Sequence, residues 1–417
     1  MCRRSDTLRG NQRYEPISDE KGFPMGSVVG KDDTLGKNII DEKLEVKMDL
    51  KDLRKQINEI DEQILSLFEK RMAVASQVAD YKVKNGLPVF QSDREKEIIQ
   101  KVRSNVACGL ENGAEVLYNT IMDISKSHQY QKLFSNSDVV EYAPFEYSMV
   151  DKIACPGTYG SYSEIAAKQI SSSADIYFYN SFDEVFDAVI NGECSFGILP
   201  IQNSTAGSVT QTYELMKQYN FYIVGGTKVK VEHCIAARHD TSFENIEAVL
   251  SHEQGLMQCS EFLKQNGFKT KEYLNTALAA EFVKNSSQPY AAVCSEECAD
   301  EMGLKVLRRN IGNAHDNYTR FILISKDILI SDNADIVSVS LSTPHSRSAL
   351  YRLLTKFSVA GLNLLRLENK PIASKDFDVV FYLDFEGSVK NREVASLLSE
   401  LSSELTYFKF LGNFKEI

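Results

Sequence analysis

No apolar run in this 417-residue sequence approaches the ~20 residues that a membrane-spanning helix requires. Basic residues are outnumbered, 47 Lys and Arg against 58 Asp and Glu. The resulting net charge of −11 argues against wholesale binding of nucleic acid or of an anionic membrane surface. It leaves room for local cationic pockets that take small anions. The eight cysteines (2, 108, 155, 194, 234, 259, 294, 298) form no C-x-x-C pair and show no zinc spacing, and the six histidines do not cluster. These are expected to be reduced thiols in a cytoplasmic protein that holds no metal. No G-x-G-x-x-G follows a strand-like run, so no dinucleotide cofactor is expected either.

What is present is ordinary globular composition, 43% hydrophobic and 25% charged, in a chain long enough for two to four domains. Residues 1–47 stand apart: charges, Gly and Pro with few apolar residues and no period, read as a disordered extension. Their opening "MCRRSDTLRGNQR" is Arg-rich like an organellar presequence, but Asp6 and Glu15 interrupt it and no apolar secretory stretch exists. The favoured reading is an extension, or a misjudged start upstream of Met48.

From Leu50, apolar residues recur at spacings of three and four through Ile57, Ile64, Leu67, Val78 and Tyr81, without Gly or Pro until "NGLP" at 85–88. This predicts one helix of about 35 residues, a rod of roughly 50 Å. The helical block, 48–131, should be only about 30 Å across if compact. A partner chain is therefore expected to complete its core. "SDRE" at 92–95 has the Ser-x-x-Glu pattern of a capping box opening a second helix, and a third is expected from about Ala114 to Gln131. Residues 132–150 read as a linker.

From 151 to 330, short β-rich runs alternate with helical ones, which is α/β texture. Its joints carry small polar residues where helices begin: Ser161 in "GTYGSYSEIAA", Asn203 and Ser204 in "PIQNSTAGSV", Ser251 and Gln258 in "SHEQGLMQC", Thr276 in "NTALAA". Such starts suit anions, although helix capping alone accounts for each one. In "DNYTRF", 316–321, Thr319 and Arg320 stand at the entrance of a buried strand, where an arginine must find a partner or reach water. Residues 331–417 read strand–helix–strand–strand–helix–strand, the ferredoxin-like plan.

The helical charges are Arg54, Arg71, Lys82, Arg94 and Glu95. Arg71 and Lys82, eleven apart, fall within about 20° of each other around the rod, while Arg54 lies some 25 Å from Arg71 and about 100° around the axis. Ser127 and Gln131, four apart, share a face of the third helix. Solvated helix charge is the plain reading of such residues. Together, however, "DLRKQINEIDEQILSLFEKRMAVASQVADYK" and "DREKEI" resemble the all-helical chorismate mutases. That family rearranges chorismate to prephenate by positioning and electrostatics. The resemblance implies carboxylate clamping by Arg54 (from a neighbouring chain), Arg71 and Arg94. It puts Lys82 and Gln131 at the ether oxygen, with Glu95 and Ser127 on substrate hydroxyl or carboxylate groups. The family's Asp two residues after "P-V" is here Gln91.

The middle block resembles prephenate dehydratase, with the two-lobed fold of periplasmic binding proteins. That enzyme expels carbon dioxide and hydroxide from prephenate to give phenylpyruvate. The resemblance implies Thr319 at the departing hydroxyl and Arg320 on a carboxylate, with Ser161, Asn203, Ser204, Ser251, Gln258 and Thr276 completing the pocket. An acidic residue usual before Asn203 is Gln202, and the Pro usual after His252 is Glu253. The last block resembles an ACT domain, a small-molecule sensor. The resemblance implies that L-phenylalanine binds at Ser348, Ala349, Leu350, Asn363 and Glu368. The family's Gly-Ala-Leu is here "SAL" and its Glu-Ser-Arg-Pro is "ENKP". A plain dimerisation module is the simpler alternative.

Three resemblances in this order imply a bifunctional enzyme of phenylalanine synthesis, at least dimeric and inhibited by L-phenylalanine. A mutase fused to a dehydrogenase is disfavoured because no dinucleotide fingerprint is present. The rival is a catalytically idle aromatic-metabolite binding protein, motivated by Gln91, Gln202 and Lys370.

Overall fold

The computed structural model describes residues 49–134, 142–371 and 379–417, so the expectation for residues 1–47 lies outside the described residues. The chain divides into two units after Gln63, and the packing that follows belongs to the second, from Ile64 onward.

The predicted rod is a single helix of 35 residues, α1 (Leu50–Lys84). "NGLP" ends it as a Schellman motif: Leu87 N–H donates to Lys82 O (2.9 Å) and Gly86 N–H to Val83 O (3.2 Å), with Gly86 at φ +63°. The apolar stripe of α1 remains uncovered, with Ile57, Ile60, Ile64 and Leu67 all more than half exposed. Helices α2 (Ser92–Asn105) and α3 (Glu111–Phe134) follow. The capping box at 92–95 does not form. Gln91 is the N-cap without a side-chain hydrogen bond, and Glu95 is drawn to tertiary partners described below.

Part of the expected linker belongs to the α/β region. Strand β1 (Ala143–Pro144) pairs with a strand near residue 330, and Phe145 is 1% exposed, packed on Tyr147 and Phe196. The first lobe contains β2 (Lys152–Pro156), α4 (Tyr162–Ile170), β3 (Asp175–Tyr179), α5 (Phe182–Ile190), β4 (Phe196–Asn203), β5 (Gly207–Ser208), α6 (Thr210–Gln218) and β6 (Tyr222–Lys230). The second contains β7 (Cys234–Ala237), β8 (Ala248–Ser251), α7 (Glu253–Gln258), α8 (Ser260–Gln265), β9 (Thr270–Glu272), α9 (Thr276–Asn285), β10 (Tyr290–Cys294), α10 (Glu296–Met302) and β11 (Lys305–Arg308). Strand β12 (Tyr318–Ser325) then returns to the first lobe, giving β3-β2-β4-β12-β6 there and β11-β7-β10-β8-β9 in the second; β13 (Leu329–Ile330) is the partner of β1. Because the chain crosses between lobes only before β7 and after β11, strand ends and helix starts of both lobes meet at one cleft. The lobes approach closely at Gly160, φ +77°, where a Cβ would lie 2.8 Å from the Cys298 backbone.

The C-terminal region runs β14 (Ile336–Ser342), α11 (Ala349–Val359), β15 (Leu364–Pro371), β16 (Val379–Glu386), α12 (Arg392–Glu404), β17 (Tyr407–Phe414), the expected order, with strands arranged β15-β16-β14-β17. Its sheet shares a core with the first lobe: Val380, Tyr382, Leu411 and Phe414 pack with Leu199, Tyr213 and Phe221. Its helices α11 and α12 pack against α3. This region therefore sits between the α/β lobes and the third helix.

Candidate active sites

A cavity of about 570 Å³ lies between the lobes. It is lined by Ser161, Asn203, Gln258, Thr276 and Thr319 among the sequence-predicted residues, together with Tyr162, His233 and His252. Neither Lys nor Arg is among its described lining residues. Helices of nine or ten residues begin there instead. Ser161 caps α4 by accepting from Glu164 N–H (3.2 Å), and Asn275 caps α9 by accepting from Leu278 N–H (2.7 Å). Phe182 and Gln211 add the first turns of α5 and α6. Converging N-termini aim backbone dipoles at the cavity, beside the first-turn carboxylates of Glu164, Asp183 and Glu184.

Thr319 enters this cavity beside Asn203, its cross-strand partner on β4. Asn203 Nδ2 donates to Thr319 Oγ1 (2.9 Å) and to Asn317 Oδ1 (2.8 Å). Asn203 Oδ1 accepts from the backbone N–H groups of Thr205 (3.0 Å) and Ala206 (2.9 Å). Backbone donors on one side thus fix the amide, and the Thr319 oxygen must accept from it.

Three expected cleft residues are placed elsewhere. Arg320, next along β12, points away from Thr319 and meets protein carboxylates, Asp384 at 2.5 Å and Glu416. Burial alone would pull its pKa down, but the two carboxylates outweigh burial and raise it. The alternation of a strand explains this, since neighbours face opposite sides of the sheet. Ser204 donates to Asp316 O (3.1 Å) and accepts from Tyr318 N–H (2.9 Å), tying down the approach to β12. Ser251 is fully buried and donates to Val293 O (2.7 Å).

Most of the helical candidates are engaged by other protein groups. Arg71 donates to Ser125 and to Ile121 O (3.3 Å), and burial lowers its pKa. Lys82 donates to Val89 O (2.7 Å); burial lowers its pKa, against a smaller pull from Glu95. Arg94 pairs with Glu97 on the surface (2.7 Å), and Arg54 lies exposed on α1. Glu95 meets Lys126 (2.9 Å) and Arg352 of α11 (3.1 Å). Ser127 donates to Glu400 of α12 (2.7 Å), and the Gln131 carbonyl accepts from Arg392 (2.6 Å). Three of the predicted residues, Glu95, Ser127 and Gln131, thus engage the C-terminal region.

A buried charged network forms around them. Lys126 also pairs with Asp123 (3.2 Å) and Glu404 (3.0 Å), and Lys356 with Glu400 and Glu404. Burial would lower the Lys126 pKa, but Glu404, Asp123 and Glu95 overcome it and raise the value.

At the predicted effector positions, Ser348 takes φ +61°, a left-handed conformation in which the family's Gly would be unstrained. Ala349 and Leu350 open α11, and the Asn363 carbonyl accepts from Glu386 N–H (2.9 Å). Glu368 accepts from Ser208 Oγ (2.8 Å), a cleft-lining residue, and lies 3.2 Å from Lys370.

His233 and Tyr162, which line the cleft, Thr205, which accepts from Gln258 there, and Lys126 of the buried network were not singled out by sequence reasoning. Thr205 stood in the quoted run "PIQNSTAGSV", two residues after Asn203, the offset of an Asx turn. His233 had no spacing partner, and its neighbours come from distant parts of the chain.

Residues 53–130 match the type II chorismate mutase family and residues 153–328 the prephenate dehydratase family. A bifunctional chorismate mutase/prephenate dehydratase from Aquifex aeolicus is 30% identical over 369 residues, spanning 88% of this chain and 98% of the relative. Among solved structures, a quorum-quenching acylase is 27% identical with a TM-score of 0.59, covering 64% of this chain and 98% of its own. The prephenate dehydratase of Arthrobacter aurescens in complex with L-Phe is 26% identical with a TM-score of 0.58, covering 63% of this chain and 89% of its own. The acylase is a reminder that fold alone does not fix activity. With both family matches in one chain and a relative aligned end to end, the chain belongs to the bifunctional chorismate mutase/prephenate dehydratase family.

Proposed function

We propose that the chain performs the two consecutive steps for which its family is named, with the second carried out in the interlobe cleft around Thr319. The carrying observation is the Thr319 hydroxyl, held by Asn203 in a cavity onto which helix N-termini open. Prephenate is a dicarboxylate, so those N-termini suit its anionic groups. As the bond from the ring to its carboxylate breaks, its electron pair enters the ring, carbon dioxide leaves, and the ring C–O bond breaks to release hydroxide. Thr319 is a feeble acid, so its part is hydrogen bonding to the departing oxygen rather than outright protonation.

For the first step, Arg71 and Arg94, joined by Arg54 of a second copy, are the cations that clamp the carboxylates of chorismate, with Lys82 and Gln131 at the ether oxygen. Support comes from the uncovered apolar stripe of α1, which a second chain would bury. The C-terminal region has the ferredoxin-like order of an ACT domain, and the L-Phe bound by the Arthrobacter relative supports L-phenylalanine as effector. The direct contact of Glu368 with cleft residue Ser208 offers a short route from effector to cleft.

Incubation of the protein with chorismate should yield phenylpyruvate; a chain that only binds the metabolite is the reading if none forms. Thr319→Val should lower phenylpyruvate formation from prephenate by about 10²–10⁴-fold while chorismate rearrangement is unchanged. Near-normal turnover of that variant removes Thr319 from the mechanism. L-Phenylalanine titrated into the millimolar range should inhibit phenylpyruvate formation, and the absence of both binding and inhibition there rejects the effector assignment.

A further inference from the structure

Hydrogen bonds in the cleft form a chain in which every direction is forced. Two backbone N–H groups, of Thr205 and Ala206, donate to Asn203 Oδ1, so its Nδ2 must face Thr319 Oγ1. Thr205 Oγ1 lies 2.8 Å from that same Oδ1 and 3.4 Å from Asn317 Oδ1, and both only accept, so the Thr205 hydroxyl spends its one hydrogen there, on the nearer Asn203. Gln258 Nε2 must then be the group donating to Thr205 Oγ1, at 3.1 Å. This turns Gln258 Oε1 toward His233, whose Nε2 stands 2.9 Å away. An amide oxygen only accepts, so His233 Nε2 carries the hydrogen.

The chain therefore runs one way, from His233 through Gln258, Thr205 and Asn203 to Thr319. With its oxygen already accepting, Thr319 has its own hydrogen left for the cavity. Successive donors of one direction polarise one another, which makes the terminal hydroxyl a better donor than an isolated threonine. His233 itself is 4% exposed, with Tyr162 against its ring edge and the Tyr162 hydroxyl 3.3 Å from Nδ1. That hydroxyl donates to Glu232 O at 2.8 Å. Burial, outweighing the Gln258 contact, lowers the imidazole pKa and favours the neutral ring the chain requires.

We infer that His233 is a positioning residue of the dehydratase, the donor at the head of this chain that fixes the Gln258 amide and thereby the aim of the Thr319 hydroxyl. The inference rests on the dehydratase reading of the cleft and adds to it a residue without any required contact to substrate. It makes two variants unequal. Glutamine can present an amide N–H close to the position of imidazole Nε2, whereas leucine leaves Gln258 Oε1 without a donor and frees the amide to flip.

The test uses the full chain, with chorismate rearrangement in the same preparation reporting intact protein. His233→Leu should lower kcat for phenylpyruvate formation about 10–10²-fold, below the contribution of a group acting directly. KM for prephenate should change by less than about threefold, because the loss falls on the transition state. His233→Gln should retain kcat within about fivefold. Equal impairment of the two variants, or a loss confined to KM, indicates packing alone and overturns the inference. An undiminished kcat in His233→Leu does the same. A second measurement needs no variant to be active: ¹⁵N-histidine NMR of the wild-type chain near pH 7, with His233 assigned by its disappearance in His233→Gln. The expected ring is protonated at Nε2 and bare at Nδ1; an Nδ1–H tautomer or an imidazolium overturns the chain's direction. Failure of the wild type to form phenylpyruvate would instead bring down the dehydratase reading and this inference with it.

Discussion

The interlobe cleft and the helical region are proposed to hold dicarboxylates, yet they are built from opposite materials. Among the described residues no Lys or Arg lines the cleft; helix starts such as those at Ser161 and Asn275 face it instead. The helical region instead concentrates Arg71, Lys82, Arg94 and Lys126. Backbone dipoles are fixed in place by the fold. Mobile cations can be taken up by other groups of the chain. Lys126 is held by Glu95, Asp123 and Glu404, and Arg71 and Lys82 spend donors on Ser125 and the Val89 carbonyl. The two α/β lobes thus enclose a cavity between them, while the helical region displays an uncovered apolar stripe and engaged cations.

The comparison can be broken most forcefully at Arg71. Arg71→Ala should reduce chorismate rearrangement by about 10²–10³-fold, the usual cost of removing one preorganised donor, and leave prephenate turnover unchanged. A parallel fall in both activities would show that the two regions are not independent.

A smaller effect sharpens the account of the charged interface. Burial, the largest influence, lifts the Glu400 carboxyl above its ordinary 4.5, even against Lys356 and Ser127. A carboxyl raised in the folded state contributes most below its unfolded value, and that contribution is lost as pH rises through the folded value. The neutral Glu400→Gln should therefore gain thermal stability relative to wild type as pH rises from about 4 to about 8. The midpoint difference between the two proteins, followed across that range, checks it. A difference that shrinks with pH contradicts the assigned direction.

Local pattern carried much of this into the sequence. The spacing of Ile57, Ile64, Leu67 and Val78 gave the length of α1, and "NGLP" gave its end because a left-handed Gly86 closes the helix through neighbours alone. Asn203 and Thr319 were legible as small polar residues at strand ends. What escaped depends on distant partners. Arg320 faces Asp384 and Glu416, 64 and 96 positions away, so nothing near "DNYTRF" could say that its anion is internal. Glu95 fits a capping box by spacing, yet the buried Lys126 of α3 and the half-buried Arg352 of α11 compete for the same carboxylate and take it. His233 is defined by Gln258 and Tyr162, from the two lobes, and has no period to betray it.

The most direct test of the contrast is dilution of the wild-type protein until single chains predominate, with both activities measured per chain and mass followed in parallel. The account predicts that chorismate rearrangement falls as single chains accumulate, because Arg54 of a second copy and the cover over α1 are lost together. Phenylpyruvate formation from prephenate should persist, since the two lobes of a single chain already enclose a cavity around Thr319. Single chains that retain the rearrangement, or that lose both activities together, would contradict it.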